Sequence, residues 1–307
     1  MKTKKIIVAV VLCLSSVLLI AAVSYFYFKN KQDSLGYSPN LSSEYLVTQY
    51  PDATGQQATF YTITDKDHLI IIDGGWAENA DAVRRVIASH HNIVDAWIIS
   101  HPHQDHAGAF NEIYANPGDI TIRAIYDNGY DHDFIEASGE PYDDITVMET
   151  FDALMKGAKN LTHLHRGDSL DICGLKFDIY NAYDDTVLNT VGDEKDYQNN
   201  ASLLFKVSSA KTSMLFASDI KYDMDSYLLS AYGNDIRCDY VQTGHHGNWS
   251  LSDEFYAATG ASVFFIDAPA SITENSDFPA STLKTDLMAK GKTVLDFSTA
   301  PNSITLK

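Results

Sequence analysis

The stretch Ser100-His101-Pro102-His103-Gln104-Asp105-His106 holds four potential metal ligands in six consecutive residues, directly after the apolar run Ala96-Trp97-Ile98-Ile99. Imidazoles and carboxylates packed where a buried strand ends are costly unless something satisfies them, and a divalent cation does so directly. The H-x-H-x-D-H spacing lets His101 and His103 point the same way off an extended loop to grip one ion. Asp105 and His106 then turn toward a second position. A polar surface loop is the competing reading, and it is weakened because further candidate ligands recur downstream at strand ends.

The 307-residue chain, 45% hydrophobic, is long enough to bury a large core. Residues Ile6 to Phe28 form an uncharged apolar run of 23, enough to cross a bilayer about 30 Å thick as a helix. Lys2, Lys4 and Lys5 precede the run and Lys29 and Lys31 follow it, a modest bias toward a cytoplasmic N-terminus and an exported remainder. A cleaved signal peptide, with small residues at Ala22 and Ser24, is the competing reading; the length of the run favours an uncleaved anchor. The expected organisation is therefore a membrane segment over 1–28, a polar tether over 29–44 and one domain over 45–307.

Charge narrows the partners. The whole chain carries −19, and the five lysines before position 32 face no acid, so residues 32–307 carry −24. Such a body repels a nucleic-acid backbone at long range and suits small neutral or cationic substrates, although bound metal can reverse the sign locally. Cys173 and Cys238 lie outside the membrane segment; they make at most one disulfide, and the simpler reading is two buried apolar residues.

Short β-rich runs at 45–48, 58–63 and 68–73, separated by turn residues, predict an opening meander. Helical spacing follows over 77–91, then a strand at 93–100, the histidine loop, a helix beginning near Ala107, and a buried strand over 120–126. This alternation predicts an α/β layer. Residues 127–146 interleave Asp127, Asp131, Asp133, Glu136, Glu140, Asp143 and Asp144 with Tyr130, Phe134 and Tyr142, directly after Tyr126. A solvated loop is the plainer reading. The sharper one is a substrate-facing loop in which Tyr126, Tyr130 and Tyr142 suit a cationic or quaternary ammonium group. A helix is expected at 145–158, and runs at 170–173, 175–180, 202–207 and 212–217 predict a second sheet. Asp219, His245-His246 and Asp267 each punctuate a strand end.

The order of these pieces resembles the metallo-β-lactamase superfamily, from Tyr45 to Leu306. Asp73 matches its first motif, the histidine loop its second, Asp219 its bridging aspartate and His245-His246-Gly247 its last. Asn199-Asn200-Ala201-Ser202-Leu203 stands where a third-motif histidine is usual. This is similar to the subgroup of DNA-uptake hydrolase domains and phosphorylcholine esterases, as are Gly55-Gln56, Arg166-Gly167-Asp168 and Pro279. Phe278 departs from that subgroup, which usually has histidine there.

The resemblance implies an αββα sandwich with a dinuclear centre. It assigns His101 and His103 to one metal, Asp105 and His106 to the other, and Asp219 to both. One of His245 and His246 completes the second site, and the sequence leaves open which. Asn199 is implied as a weak ligand or hydrogen-bond donor, and Asp73 as the group that orients a ligand histidine. Zinc is the default for mixed His and Asp ligands, with manganese or iron as alternatives. Metal lowers the pKa of bound water from 15.7 to about 7, so hydroxide attack is the implied chemistry, with Asp105 and Asp219 as the catalytic carboxylates.

The resulting expectation is an extracytoplasmic, membrane-anchored phosphodiesterase acting on a small or cell-envelope phosphodiester of phosphorylcholine type. The alternatives are a DNA-uptake-type nuclease, disfavoured by charge, a lactam or lactone hydrolase, disfavoured by Asn199, and a non-enzymatic metal-bearing binding module. His68, His90, His91, His132, His163 and His165 read as surface or packing residues.

Overall fold

The computed structural model describes residues 44–133, 143–192, 196–297 and 300–307. The expected membrane segment and nearly all of the tether lie outside these residues, as does Tyr142. No helix among the described residues is long and apolar enough to cross a membrane. The described residues belong to one compact unit.

The first half of that unit supplies strands β1 (Tyr45–Gln49), β2 (Phe60–Thr64), β3 (Leu69–Asp73), β4 (Ile93–Val94), β5 (Ala96–Ile98), β6 (Thr121–Ile122), β7 (Ile125–Asp127) and β8 (Leu161–His163). The second half supplies β9 (Ser169–Ile172), β10 (Leu175–Asn181), β11 (Leu204–Ser208), β12 (Ser213–Phe216), β13 (Tyr240–Gln242), β14 (Val263–Pro269), β15 (Thr293–Phe297) and β16 (Asn302–Leu306). Two seven-stranded sheets result, in the orders β16-β1-β2-β3-β5-β7-β8 and β15-β14-β13-β12-β11-β10-β9. The opening meander is antiparallel, and the pairs from β3 through β5 and β7 to β8 are parallel. The second sheet repeats the pattern along the chain: β9 to β12 are antiparallel and β12 to β15 parallel.

Alternation along the strands explains the layering. In β3, Ile70 and Ile72 join Ile63, Ile98, Phe177, Phe205 and Phe216 in a core between the two sheets. Leu69 and Ile71, on the opposite face, pack with Trp97 under the helices Ala80–Ser89, Gln104–Ala115 and Ile145–Met155. A third cluster, including Leu215, Val241 and Phe264, lies under the helices of the second sheet. All five β3 residues are therefore buried, as a strand covered on both faces requires. This is the αββα sandwich implied by the sequence.

Four boundaries differ from the sequence expectation. Neither the run 93–100 nor the run 120–126 is one strand: Ile93–Val94 and Thr121–Ile122 pair in a separate two-stranded sheet, and only Ala96–Ile98 and Ile125–Asp127 join the main sheet. The helix expected at 145–158 stops at Met155, just before Gly157 takes the left-handed φ of +81°. The helix expected near Ala107 begins at Gln104, because the N–H groups of His106 and Ala107 already turn back to the His103 carbonyl. Asp105 and His106 thus sit on a first helical turn. That helix lies tight against the turn at residues 75–77: a Cβ on Gly108 would fall 2.5 Å from the Ala77 nitrogen.

Candidate metal centre

The carboxyl ends of β3, β5, β12 and β13 converge where the two sheets meet, the position at which α/β sheets present ligand sites. Asp73 closes β3, His101 and His103 follow β5, Asp219 follows β12, and His245-His246 follow β13. Asp73, Ser218, His245 and His246 all carry positive φ, between 46° and 54°. Each such residue costs of order 1–3 kcal/mol, so the surrounding hydrogen bonds must hold the backbone there. They do at Ser218, whose N–H donates to Gln242 Oε1 at 2.7 Å and whose hydroxyl donates to the Leu203 carbonyl at 2.6 Å.

Two groups of ligand atoms gather. His101, His103 and Asp219 form one, and Asp105, His106 and His246 the other; within each, the donor atoms lie within 4.8 Å of one another. His101 Nε2 faces His103 Nδ1 at 2.8 Å. His106 Nε2 lies 3.1 Å from Asp219 Oδ1, and His246 Nε2 lies 3.1 Å from Asp105 Oδ2 and 3.2 Å from Asp219 Oδ2. Asp219 therefore reaches both groups, one oxygen toward His106 and the other toward His246. All six side chains are buried.

The outer contacts orient this set. Asp73 Oδ2 accepts from His106 Nδ1 at 2.8 Å, and its two oxygens also accept from the Ser100 N–H and hydroxyl. That keeps the Nδ1 proton of His106 directed to Asp73 and leaves Nε2 as the nitrogen turned to the cluster. Asp143 Oδ1 lies 2.8 Å from His103 Nε2, so the other ring nitrogen of His103 is the one presented to His101.

The donor set fits divalent cations. His106 Nε2, His246 Nε2 and Asp219 Oδ1 are buried without a hydrogen bond despite their mutual closeness. Electrostatics agree. Burial opposes charge on His106, yet the carboxylates of Asp219, Asp73 and Asp105 hold its pKa well above the usual histidine value. His246 is likewise buried, and Asp219 and Asp105 raise it to about 10. Burial disfavours the charge of Asp105, but His106 and His246 draw it down to about 2. In the metal-free protein, protons on two imidazoles therefore balance the carboxylates. Cations would take the place of those protons.

His246 and not His245 belongs to the cluster. His245 Nδ1 donates to the Asn248 carbonyl at 2.7 Å, which leaves Nε2 as an acceptor, 3.4 Å from the Asn199 amide nitrogen. Burial lowers its pKa and favours this neutral form. Asn199 also donates to Asp196 at 3.2 Å, and its buried Oδ1 has no hydrogen-bond partner.

A cavity of about 460 Å³ opens over the cluster, bordered by His103, Asp105, Asp219, His245 and Asn199 below, and by Trp76, Tyr222, Trp249, Lys221, Asp196 and Gln57 around the mouth. Tyr222 and Trp249 are each more than half exposed. Lys221 Nζ lies 2.7 Å from Asp196 Oδ2. Sequence reasoning missed Ser100, Asp143, Trp76, Lys221, Tyr222 and Trp249 as site residues, because each reaches the site only through the fold.

Of the tyrosines singled out for a substrate loop, the two among the described residues lie elsewhere. Tyr126 packs against the inter-sheet core, and Tyr130 packs on Phe151 while donating to Asp152 at 2.6 Å; neither borders the cavity. From that segment, Asp143 reaches the cluster. Phe278 precedes the helix Pro279–Ala289 and borders a second shallow cavity on the other side of Trp249. Cys173 and Cys238 are both free thiols.

A family model described as the metallo-beta-lactamase superfamily matches residues 53–173. No curated protein matches the chain in sequence. Among solved structures, it is similar to the metallo-beta-lactamase fold protein YhfI from Bacillus subtilis, at 12% identity over 86% of this chain and 100% of that one, with a TM-score of 0.53. It is also similar to CmlA, a diiron beta-hydroxylase from Streptomyces venezuelae, at 13% identity and a TM-score of 0.53; the match covers 88% of this chain and 55% of CmlA. Igni18, a metallo hydrolase from the archaeon Ignicoccus hospitalis, gives 12% identity over 86% of this chain and 99% of that one, with a TM-score of 0.50. The fold is that of the metallo-β-lactamase superfamily.

Proposed function

We propose that this metallo-β-lactamase-fold chain is a dinuclear metal-dependent phosphodiesterase acting on a small or cell-envelope phosphodiester that carries an organic group. The observation that carries the reading is the buried six-residue cluster, in which His106 Nε2, His246 Nε2 and Asp219 Oδ1 lie close together without hydrogen bonds beneath a cavity. His101, His103 and Asp219 would hold one ion, and Asp105, His106 and His246 the other. Bound divalent ions supply an acidified water and a counter-charge for the reacting oxygen. Zinc suits the mixed imidazole and carboxylate donors; manganese and iron suit them as well.

The rest of the cavity supports the substrate assignment. His245 Nε2, an acceptor 3.4 Å from the Asn199 amide nitrogen, borders the cavity and can accept a hydrogen bond from the organic part of the substrate. Lys221, paired with Asp196 at 2.7 Å, lines the same cavity and supplies a cation that a phosphoryl oxygen can share. Trp76, Tyr222 and Trp249 give aromatic walls for the organic part, a quaternary ammonium group included. The charge of −24 over residues 32–307 weighs against a nucleic-acid backbone. The apolar run Ile6 to Phe28 supports a membrane-anchored enzyme with an extracytoplasmic domain.

The test is hydrolysis of bis-p-nitrophenyl phosphate and p-nitrophenyl phosphorylcholine by the purified chain, stripped of metal and then reloaded with zinc or manganese. Turnover that appears only on reloading supports the proposal. Absence of turnover on both substrates, or faster cleavage of single-stranded DNA, contradicts it.

A further inference from the structure

Asp267, at the end of the apolar run Phe264-Phe265-Ile266 in β14, is fully buried and outside the ligand cluster. Its two oxygens accept four side-chain hydrogen bonds. Oδ1 receives Gln49 Nε2 at 2.6 Å and the Tyr61 hydroxyl at 2.5 Å. Oδ2 receives the Thr59 hydroxyl at 3.0 Å and Gln242 Nε2 at 3.0 Å. Gln49, Thr59 and Tyr61 come from the first sheet and its approach to β2, Gln242 and Asp267 from the second. Four neutral donors suit a carboxylate, whose two oxygens only accept.

Two of those donors lead to metal ligands. The N–H of Thr59 donates to the main-chain carbonyl of Asp105 at 3.1 Å, so the residue anchored on Asp267 also holds the ligand-bearing helical turn. Gln242 turns its other end, Oε1, to the N–H groups of Ala217 and Ser218, at 2.8 and 2.7 Å. Those are the two residues before Asp219, and Ser218 is held at φ +47°. One buried carboxylate is thus tied through Thr59 to the main chain of Asp105 and through Gln242 to the main chain just before Asp219.

We infer that Asp267 is a positioning residue that sets the spacing of Asp105 and Asp219 across the two sheets, and through it the affinity and geometry of the metal centre. The inference rests on the metal-centre reading above. Groups hydrogen-bonded directly to metal ligands typically govern metal affinity by 10–100-fold when removed, and Asp267, one contact further out, is expected to act at the low end, about 10-fold. In Asp267→Asn the shape is kept, but the amide nitrogen would meet two donors instead of accepting from them.

The experiment measures zinc affinity of the full-length chain by equilibrium competition with a chromophoric chelator, together with the visible absorption spectrum after cobalt loading. Asp267→Asn is expected to bind zinc about 10-fold more weakly than wild type and to shift the cobalt spectrum. Tyr61→Phe, which removes a donor leading to neither ligand, is expected to lower thermal stability while leaving the cobalt spectrum unchanged. If Asp267→Asn fails to fold, Thr59→Val serves: it is expected to weaken zinc binding, with Thr59→Ser restoring it. Wild-type affinity and spectrum in both Asp267→Asn and Thr59→Val, with only the melting temperature lowered, would overturn the inference alone. Wild-type protein that binds no zinc or cobalt would overturn it together with the metal-centre reading.

Discussion

Asp73 Oδ2 and His106 Nδ1 lie 2.8 Å apart with both side chains fully buried, so the acid that ends β3 dictates which nitrogen His106 offers to the cluster. Asp73 is itself held by the Ser100 N–H and hydroxyl. Asp73→Ala removes the acceptor and frees the imidazole to change tautomer. Zinc affinity is expected to fall about 10–100-fold, measured by chelator competition, while the chain remains folded by circular dichroism.

His103 is held from both sides, by His101 at one ring nitrogen and Asp143 at the other. His103→Ala is expected to lose at least one metal per chain by elemental analysis. Asp143→Ala should keep the ligand but weaken its hold, giving a partial loss that excess zinc restores. Full metal retention in His103→Ala would refute the ligand assignment.

The raised pKa values of His106 and His246 have a pH signature. A group whose folded-state pKa lies above its unfolded value stabilises the fold below the unfolded pKa, and that contribution is lost as pH rises through the folded one. In the metal-free protein the window runs from about 6.5, the ordinary histidine value, to the value of about 10 at His246. The melting temperature of chelated protein should therefore fall between pH 7 and 9.5, and metal-loaded protein should show a much weaker dependence, because the ions replace those protons. Equal slopes in the two forms would contradict the electrostatic account.

Burial pushes both the Cys173 and the Cys238 thiols up to about 12. At pH 8 only about one molecule in 10,000 then carries either thiolate, the reactive form. Native protein treated with iodoacetamide should leave the peptides containing Cys173 and Cys238 unmodified by mass spectrometry over the time in which denatured protein is fully labelled.

Trp249 holds a backbone φ of +44° and is 55% exposed at the mouth of the cavity. A large aromatic held in that conformation and left in solvent suits a ligand contact. Trp249→Ala is expected to raise KM for p-nitrophenyl phosphorylcholine by about 3- to 10-fold, with the metal content unchanged. An unaltered KM would remove Trp249 from substrate binding.

The sandwich and most of the cluster were legible in the sequence because their signals are local. His101 to His106 are contiguous, the strands are short apolar runs with turn residues between them, and Asp73 and Asp219 each end one. What stayed hidden depends on backbone angles or on distant contacts. Two neighbouring histidines look equivalent until His245 and His246 both take left-handed φ, which sends one ring to the Asn248 carbonyl and the other to Asp105 and Asp219. Gln104 looks like loop because ligand residues surround it, although they already form the first helical turn. Asp143 meets His103 across 40 positions and Asp267 meets Gln49 across 218, separations that carry no period. The aromatics near the site were sought in residues 126–142, whereas Trp76, Tyr222 and Trp249, which border the cavity among the described residues, stand on three other segments.

The most direct test of the two-ion centre is metal stoichiometry by elemental analysis of the purified full-length chain and of its His246→Ala and His245→Ala variants after zinc loading and desalting. The account predicts two zinc ions per chain in wild type, at least one fewer in His246→Ala, and two in His245→Ala. One ion or none in wild type, or a loss in His245→Ala with full retention in His246→Ala, would contradict it.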